Sequence, residues 1–559
     1  MRFVIRADAS LQIGSGHIMR CLTLADRLRQ QGHTVSFICR EHAGHLADFI
    51  TQKGFDVQLL AKPVPHAFAK NHPHSEWLGV SESDDFAECQ PILTALQPDW
   101  LVIDHYAIGK TWEQQAKQFL PNVKILAIDD LADREHDCEI LLDQNFGRKA
   151  DDYQNLVPSH CQLLLGTRYT LLREEFSEWR EFSLSRRKHL TKSKNILISL
   201  GGVDKDNITL KILQSLAKST QPSFNVTSVN IPVLNVTVVM GKTAPHSQIV
   251  QAFAKTAPFP CEVLVNVSNM AELMVNADIA IGASGSTTWE RCCLGLPMVL
   301  LVLADNQKVI AEALAQQNVV KVVSDIAKLD EQLPSLLNEL SENYAKFSRQ
   351  SAKLVDGHGA KRVANWLEFA KTLQYGKVRQ ATEDDTQMIW QWRNHVDVRQ
   401  YMFGQDEIAL AEHEKWFAKQ LANPNVHLMI FSVNNEPMGF ANVTQITLDK
   451  YQTLTSTKVK NDEKTATWGF YLSPTSPKGQ GLGFALGVLA IAKIFNTAVL
   501  YTNGISKITA QVLAYNEPSL ALHRKLGFEQ TGVLAKHYYV NGEVFDVVEF
   551  KLMADKFLF

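Results

Sequence analysis

Short apolar runs alternate with helical patterns along residues 1–304 of this chain. Runs such as RFVIRA (2–7), HTVSFIC (33–39) and DWLVID (99–104) are apolar almost throughout, which is typical of strands in a parallel sheet covered on both faces. The helical pattern CLTLADRLRQQG (21–32) follows the first run and ends in a glycine, which suits the position after a helix. The series predicts βαβ units and a doubly wound α/β sheet.

A charged segment, 172–195, interrupts the alternation, which then restarts at NILISLGG (195–202) and continues to MVLLVLA (298–304). We therefore predict two Rossmann-like domains, 1–190 and 191–372, with a cleft between the carboxyl ends of their strands. From residue 377 the order of strands and helices is mixed, and a final hairpin is expected to turn at Asn541-Gly542. This pattern predicts a separate α+β domain over 377–559.

The length of the chain and its net charge limit the number of domains and the kinds of partner that we expect. A chain of 559 residues is too long for one core, and a net charge of −3 gives no electrostatic case for nucleic acid or membrane partners. Arg6 and Asp8 interrupt the first apolar run, and no later apolar run reaches transmembrane length, so neither a signal peptide nor a transmembrane segment is expected. The eight cysteines form no C-x-x-C pair, so we expect reduced thiols and a cytoplasmic protein.

Three loops are candidates for binding a diphosphate or its sugar. The loop GASGSTTWERCCLGLP (282–297) follows a strand and opens a helix, so backbone N–H groups and the positive helix end are expected to meet there. The alternative, a capped strand-to-helix turn, stays open. The loop SLGGVDKDN (199–207) has the same placement, and GSGH (14–17) adds a histidine. The candidate UDP-binding and substrate-binding residues in these loops are Gly14, Gly16, Gly202, Ser284, Gly285, Ser286, Thr287 and Glu290, the last for ribose hydroxyls.

These loops, with the paired halves, resemble the GT-B architecture and, more closely, the UDP-sugar hydrolases of pseudaminic acid biosynthesis. The resemblance covers about residues 1–365 and includes RADASLQIGSGHIMRCLTLADRL (6–28), DWLVIDHYAIGKTWE (99–113) and LLGTRYTLLREEF (164–176). That family removes UDP from UDP-2,4-diacetamido-2,4,6-trideoxy-β-L-altropyranose.

The resemblance implies that His17 activates the water that attacks the anomeric carbon. Histidine suits this work because it exchanges protons near neutral pH, and backbone dipoles can stabilise the leaving UDP without a protonating acid. The resemblance also implies that Tyr106 lies in the cleft near the sugar and that Asn306 contacts substrate. For Tyr106, an aromatic plug at a strand end is an open alternative.

Two acidic or histidine-rich stretches are compatible with a metal site, but we expect none. Asp129, Asp130 and Asp133 could hold Mg²⁺, but neighbouring Arg134 and His136 favour an ion-paired loop. The second stretch includes Pro65 and Pro73, which favour an irregular loop over the alternative of a zinc site. Its candidate ligands are His66, His72, His74 and Glu76.

The loop KGQGLG (478–483) resembles the acetyl-CoA loop of the GNAT superfamily, whose successive glycines let backbone N–H groups surround a pyrophosphate. Lys478 stands where that family has Arg or Gln, a mild departure. The run ITAQVLAYN (508–516) resembles the second cofactor segment. The resemblance implies that acetyl-CoA is bound by Lys478, Gly479, Gly481, Gly483 and Asn516.

Further motifs, 390–399 and 413–417, resemble the branch of the superfamily that acetylates amino sugars or protein N-termini. Many members carry a tyrosine seven residues after the asparagine, where it protonates the CoA thiolate; here His523 takes that place. Either His523 is the acid, or it is a structural residue and the thiolate leaves through water. Asn442 and Thr444 are candidates to face the sugar.

Together the two resemblances predict a bifunctional enzyme acting on UDP-amino-sugars. It would acetylate the 4-amino group of UDP-4-amino-4,6-dideoxy-N-acetyl-β-L-altrosamine and then remove UDP from the product. One alternative is a GT-B glycosyltransferase with an accessory acetyltransferase domain, and another is a UDP-sugar-binding sensor. The sequence does not fix the oligomeric state.

Overall fold

The protein is described from a computed structural model. It covers residues 1–63, 73–190, 193–201, 203–220, 234–242, 244–303, 305–372, 376–446, 464–500, 504–540 and 543–559. The chain divides into two compact units, Met1–Ala364 and Asn365–Phe559. Among the described residues, no helix is both long enough and apolar enough to cross a membrane.

The elements follow the predicted order of the three regions. In chain order they are β1 (Arg2–Ala7), α1 (Gly16–Gln30), β2 (Thr34–Arg40), α2 (Ala47–Gln52), β3 (Asp56–Leu60), α3 (Glu82–Leu96), β4 (Trp100–Asp104), α4 (Lys110–Phe119), β5 (Lys124–Ile128), β6 (Ile140–Asp143), β7 (Gln162–Leu165), α5 (Glu174–Lys188), β8 (Asn195–Ser199), α6 (Ile208–Ser219), β9 (Asn235–Met240), α7 (Ser247–Ala254), β10 (Cys261–Val265), α8 (Met270–Asn276), β11 (Ile279–Ala283), α9 (Thr287–Cys293), β12 (Met298–Leu301), α10 (Asp305–Gln316), β13 (Lys321–Val323), α11 (Leu329–Glu342), α12 (Tyr344–Leu354), α13 (Gly359–Thr372), β14 (Gly376–Gln380), α14 (Thr386–Asn394), α15 (Val396–Arg399), α16 (Leu410–Leu421), β15 (Val426–Val433), β16 (Glu436–Gln445), β17 (Thr465–Leu472), α17 (Leu482–Leu500), β18 (Lys507–Leu513), α18 (Glu517–Lys525), β19 (Glu529–Val540) and β20 (Glu543–Met553).

The first unit contains two parallel sheets, as the alternation predicts. The first has the order β3-β2-β1-β4-β5-β6-β7, and the second β10-β9-β8-β11-β12-β13. The order reverses between β1 and β4 in one sheet and between β8 and β11 in the other. In doubly wound sheets, ligands bind outside the carboxyl ends of the strands at such a reversal. The loops that follow β1, β8 and β11 are the three loops selected from the sequence.

The structure adds three strands that the apolar pattern did not predict. Strands β6, β7 and β13 have only three or four residues each, too few for a periodicity to stand out. The charged segment 172–195 contains helix α5, whose Arg187 is buried and donates to the carbonyls of Ala277 and Met274. The helix thus packs on second-half elements, although it precedes the boundary at 190, which stays a prediction.

The second unit is the predicted α+β domain. Its sheet has the order β14-β15-β16-β17-β18-β20-β19, and every neighbouring pair is antiparallel except β17 and β18. These two strands pair only from Thr465–Thr467 to Lys507–Thr509, so they diverge toward their carboxyl ends. The final hairpin joins β19 and β20, but its predicted turn at Asn541-Gly542 lies outside the described residues.

Candidate active sites

The loop after β1 folds back on Ser10. The N–H of Gly14 donates to the carbonyl of Ser10 at 2.8 Å, and the N–H of Ile13 donates to its hydroxyl at 2.9 Å. Gly14 has a φ of +81°, a left-handed conformation that glycine adopts without strain. Helix α1 begins at Gly16, so His17 lies in its first turn, beside the carboxyl ends of β1 and β4.

His17 is paired with a buried carboxylate. Its Nδ1 lies 2.5 Å from Oδ1 of Asp104, the last residue of β4. Burial alone would raise the pKa of Asp104, but the charges of Arg20 and His17 and their hydrogen bonds hold it far below its ordinary value. An ionised carboxylate only accepts hydrogen bonds, so Nδ1 carries the proton and Nε2 is the nitrogen on the opposite edge of the ring.

Arg20, one turn after His17, connects two carboxylates. Its Nε and Nη2 donate to the two oxygens of Asp104 at 2.7 and 2.6 Å, and Nη1 donates to Asp130 at 2.6 Å. Tyr106 donates its hydroxyl to the same oxygen of Asp130 at 2.6 Å. Burial and the charge of Asp130 raise the pKa of Tyr106 well above its ordinary value, so the phenol stays protonated at neutral pH.

A cavity of about 360 Å³ opens between the two halves of the first unit. The predicted residues Gly16, His17 and Tyr106 line it from the first half. Residues from both halves complete the lining: Ile13, Arg20, Trp77, Asp130, Leu131, Gln144, Asn145, Ser284, Gly285, Ser286, Thr288, Trp289, Gln307 and Ile310. The structure therefore brings His17 of the first half to the same cavity as residues 284–286 of the second half, which we call the serine loop.

The loop 282–287 is held by a buried arginine. Nη2 of Arg291 donates to the carbonyl of Ser199 at 2.9 Å, which ties this loop to the end of β8. A Cβ at Gly282 would lie 2.2 Å from the same nitrogen, so a larger residue there would require the Arg291 side chain to move. The N–H groups of Ser284 and Gly285 already donate to backbone carbonyls. Among the described hydrogen bonds of this loop, none has the N–H group of Ser286 or of Thr287 as its donor.

Glu290 lies beside a smaller pocket of about 40 Å³ that Gly16 and Ser286 also line. Its Oε1 is 3.7 Å from Nη2 of Arg173. Burial raises the pKa of Glu290, and the charge of Arg173 opposes that shift. Gly14 and Thr287 belong to the lining loops, whereas Gly202 and the side chain of Asn306 lie outside the described residues. The roles of all these residues stay predictions.

The acidic loop forms ion pairs, as its neighbours suggested. Asp129 and Asp133 contact Nη1 of Arg134 at 2.8 and 3.1 Å, and Asp130 pairs with Arg20. In the described part of the chain, no cluster of three or more His, Cys, Asp or Glu side chains is arranged to hold a metal ion. His74 packs its ring against Trp77 and Tyr106, and His66 and His72 lie outside the described residues.

Sequence reasoning missed the partners of His17. Asp104 and Arg20 were not selected, although Asp104 stands two residues before Tyr106 and Arg20 three after His17. A signal was present in the βαβ order, since the ends of the first and fourth strands meet at the reversal of a doubly wound sheet. A polar residue ending the fourth strand was therefore a candidate partner for the histidine after the first.

In the second unit, the predicted cofactor residues follow β17 and β18, where these strands diverge. Gly479 and Gly481 each have a φ of +77°, and a Cβ at either would meet no other atom within 4 Å. The backbone of this loop is therefore open to a ligand. Asn516 caps α18, since its Oδ1 accepts from the N–H of Ser519 at 3.2 Å. Lys478 is exposed, and Gly483 faces Leu522.

His523 lies in an aromatic cluster and is 2% exposed. Its ring stacks on Phe550 at 5.2 Å and meets Phe528 and Trp468 edge-on. Nδ1 is 2.7 Å from the carbonyl oxygen of Ser519, which can only accept, so Nδ1 carries the proton. Burial lowers the pKa of His523, so Nε2 has no proton at neutral pH. This tautomer favours the structural alternative, and the acid role stays an untested prediction.

Comparisons with known proteins give a family match in the Rossmann-like part of the chain and another in the α+β domain. Residues 200–365 match the family described as Glycosyltransferase family 28 C-terminal domain, and residues 377–529 match the family described as Acetyltransferase (GNAT) domain. The UDP-2,4-diacetamido-2,4,6-trideoxy-beta-L-altropyranose hydrolase of Campylobacter jejuni is 29% identical over 57% of this chain and 97% of its own length.

One more curated relative and one solved structure are also similar to this chain. An uncharacterized protein of Methanocaldococcus jannaschii is 22% identical over 95% of this chain and 97% of its own length. The crystal structure of MurG from Acinetobacter baumannii, at 16% identity, covers 66% of this chain and 99% of its own, with a TM-score of 0.48.

The chain fuses a GT-B-like region, homologous to a UDP-sugar hydrolase, with a GNAT acetyltransferase domain. Acetyl-CoA is the co-substrate of the latter domain. The predicted fold class, fusion and co-substrate are confirmed.

Proposed function

We propose that this chain catalyses two consecutive reactions of pseudaminic acid biosynthesis. The second unit transfers acetyl from acetyl-CoA to the 4-amino group of UDP-4-amino-4,6-dideoxy-N-acetyl-β-L-altrosamine. The first unit then hydrolyses the product, UDP-2,4-diacetamido-2,4,6-trideoxy-β-L-altropyranose, to UDP and the free sugar. The choice of sugar rests on the substrate for which the Campylobacter relative is named and on the sequence resemblance.

The observation that carries the hydrolysis is the placement of His17. Its Nδ1 is held by Asp104 and it lines the cavity shared with the loop 284–286. In the proposed reaction Nε2 takes a proton from water, and the water oxygen bonds to the anomeric carbon. The bond from that carbon to the diphosphate oxygen breaks, and UDP leaves with its electron pair. Backbone N–H groups of the serine loop stabilise the departing charge.

The acetyl transfer uses the open glycine loop of the second unit. The neutral 4-amino nitrogen attacks the thioester carbonyl carbon, and the tetrahedral intermediate loses its nitrogen-bound proton to water. The carbon–sulfur bond then breaks to give the amide and the CoA thiolate, which takes a proton from water. The loop 478–483 holds the CoA pyrophosphate by its backbone N–H groups, and the divergence of β17 from β18 leaves strand edges free for the pantetheine arm. No metal takes part in either proposed step.

The products from the 4-amino UDP-sugar test the two reactions together. With acetyl-CoA, NMR is expected to show CoA, UDP and the free 2,4-diacetamido sugar. Without acetyl-CoA, the 4-amino UDP-sugar is expected to persist. Acetylated UDP-sugar that accumulates without UDP release would contradict the hydrolase assignment and leave the acetyltransferase assignment standing.

A second candidate for the first unit is a transferase that uses an acceptor sugar in place of water. The match of residues 200–365 to a glycosyltransferase family favours it. Incubation with the diacetamido UDP-sugar alone separates the two candidates. Hydrolysis gives UDP and the free sugar, whereas a strict dependence on an added acceptor would support the transferase.

A further inference from the structure

We infer that Asp104 is a positioning residue for the hydrolysis, which fixes His17 with a proton on Nδ1 and leaves Nε2 free to accept one from water. The inference rests on the proposed function of the first unit, because it assigns the role that Asp104 plays through His17. Asp104 does not line the cavity and is fully buried, so the carboxylate reaches the reacting atoms only through the imidazole.

The contacts of Asp104 leave its carboxylate one orientation. Oδ1 accepts from His17 Nδ1 and from Arg20 Nη2, and Oδ2 accepts from Arg20 Nε and from the thiol of Cys21 at 3.4 Å. The two parallel hydrogen bonds from Arg20 form the bidentate geometry that orients a carboxylate most strictly. The oxygen facing His17 is therefore set by the arginine, which extends from the same helix.

The imidazole ring is held on a second side by Tyr106. The two ring centroids are 4.6 Å apart, and the ring planes make an angle of 82°. The Tyr106 hydroxyl is itself bound to Asp130, which Arg20 also holds. Arg20 thus connects both supports of the histidine, and rotation of the ring would break the contact with Asp104.

The charges of this cluster suit an imidazolium. Asp104 and Asp130 carry two negative charges and Arg20 carries one positive charge, so the group has a net charge of about −1 near His17. When Nε2 accepts a proton, the imidazolium brings the cluster close to neutrality. In a buried setting the attraction between an imidazolium and this preorganised negative charge is stronger than the same attraction in water.

The same half of the first unit contains a matched pair, one residue in helix α4 and one in the loop between β5 and β6, without access to the cavity. Nδ1 of His136 lies 2.8 Å from Oε1 of Glu113, and both side chains are buried. Neither residue lines the cavity. Replacing Glu113 with glutamine therefore measures how much a buried histidine–carboxylate pair contributes to stability, without a change at the cavity.

The test compares Asp104→Asn, His17→Ala, their double variant and Glu113→Gln in the full chain, with UDP release from the diacetamido UDP-sugar as the assay. Asp104→Asn is expected to lower kcat by about 100-fold or more, with KM changed less than about threefold because the carboxylate does not touch substrate. In the His17→Ala background it is expected to lower kcat no further. Glu113→Gln is expected to lower Tm and keep kcat.

Two results would overturn the inference. One is a wild-type kcat in folded Asp104→Asn while His17→Ala is inactive; the other is an equal loss from Asp104→Asn with and without His17. If Asp104→Asn does not fold, Asp104→Glu decides, because it keeps the ion pair with Arg20 and displaces the oxygen from Nδ1. A tenfold lower kcat at unchanged KM supports the role, and a wild-type kcat contradicts it. A fully active His17→Ala would instead refute the proposed base.

Discussion

His17 and Asp104 lie 87 positions apart in the chain, yet Nδ1 of the histidine is 2.5 Å from a carboxylate oxygen of the aspartate. They meet because β1 and β4 are neighbours in the first sheet, and each residue stands at or just beyond the carboxyl end of its strand. His17, but not Asp104, lines one cavity together with the serine loop of the second half. This geometry supports the proposal that the first unit activates water.

The start of helix α13 depends on a close backbone approach. A Cβ at Gly359 would lie 2.2 Å from the carbonyl oxygen of Thr170 and 2.6 Å from its nitrogen. Backbone atoms cannot yield as a flexible side chain does, so Gly359→Ala is expected to lower the free energy of unfolding by about 2 kcal/mol or more. Urea unfolding measures it. Gly285→Ala, which meets no atom within 4 Å, is the control, and equal stabilities for both variants would contradict the packing.

The lowered pKa of Asp129 predicts that part of the free energy of unfolding is lost in acid. Burial alone would raise its pKa, but Arg134, His136 and two backbone N–H groups lower it to about 2. The unfolded value is about 3.9, so the ionised form stabilises the fold above about pH 4, and this contribution is lost as the pH falls toward about 2. We expect wild type to exceed Asp129→Asn by about 2–3 kcal/mol near pH 7, with a gap that shrinks below about pH 4. A gap independent of pH in urea titrations would refute this origin.

The glycine loop of the second unit predicts a selective loss of cofactor binding. Gly481 has a φ of +77°, which costs an L-residue roughly 1–2 kcal/mol. Gly481→Ala is therefore expected to raise KM for acetyl-CoA by about tenfold. UDP release from the diacetamido substrate is expected to stay unchanged. Gly532→Ala, whose added Cβ makes an ordinary 3.4 Å contact, is the control, and an equal rise in its KM would argue against the loop's role.

Substitutions of His523 can decide whether it is a general acid or a structural residue of the core. Because Nε2 has no proton in the tautomer that the Ser519 carbonyl contact assigns, we expect His523→Phe to keep kcat for acetylation within about threefold. His523→Ala, which removes the ring from the aromatic cluster, is expected to lower the free energy of unfolding by roughly 3 kcal/mol. A 100-fold lower kcat in well-folded His523→Phe would restore the general-acid role.

The sequence predicts most of this fold because its strands are long and apolar. Strand β4 is buried along its whole length, and such runs stand out in a single sequence. Strand β13 has three residues and gives no such signal. The sequence marks helix α5 only as a charged interruption, because the burial of Arg187 depends on carbonyls about 90 positions away.

The candidate site likewise contains residues that local motifs predict and residues that they do not. Loop motifs are local, so His17 and the serine loop were selected from a few residues each. Asp104 and Arg20 can be recognised as partners of His17 only when the strand order is known. The residues next to a carboxylate at a strand end do not show which side chain it contacts. The tautomer of His523 likewise depends on one carbonyl contact.

Hydrolysis of the diacetamido UDP-sugar in H₂¹⁸O tests the central claim most directly. Attack of His17-activated water on the anomeric carbon predicts that ¹⁸O enters the free sugar and that UDP stays unlabelled, without any acceptor present. His17→Ala is expected to bind UDP as wild type does and to lose at least about 100-fold in rate. Label in UDP, release that requires an acceptor, or a wild-type rate in His17→Ala would contradict the account.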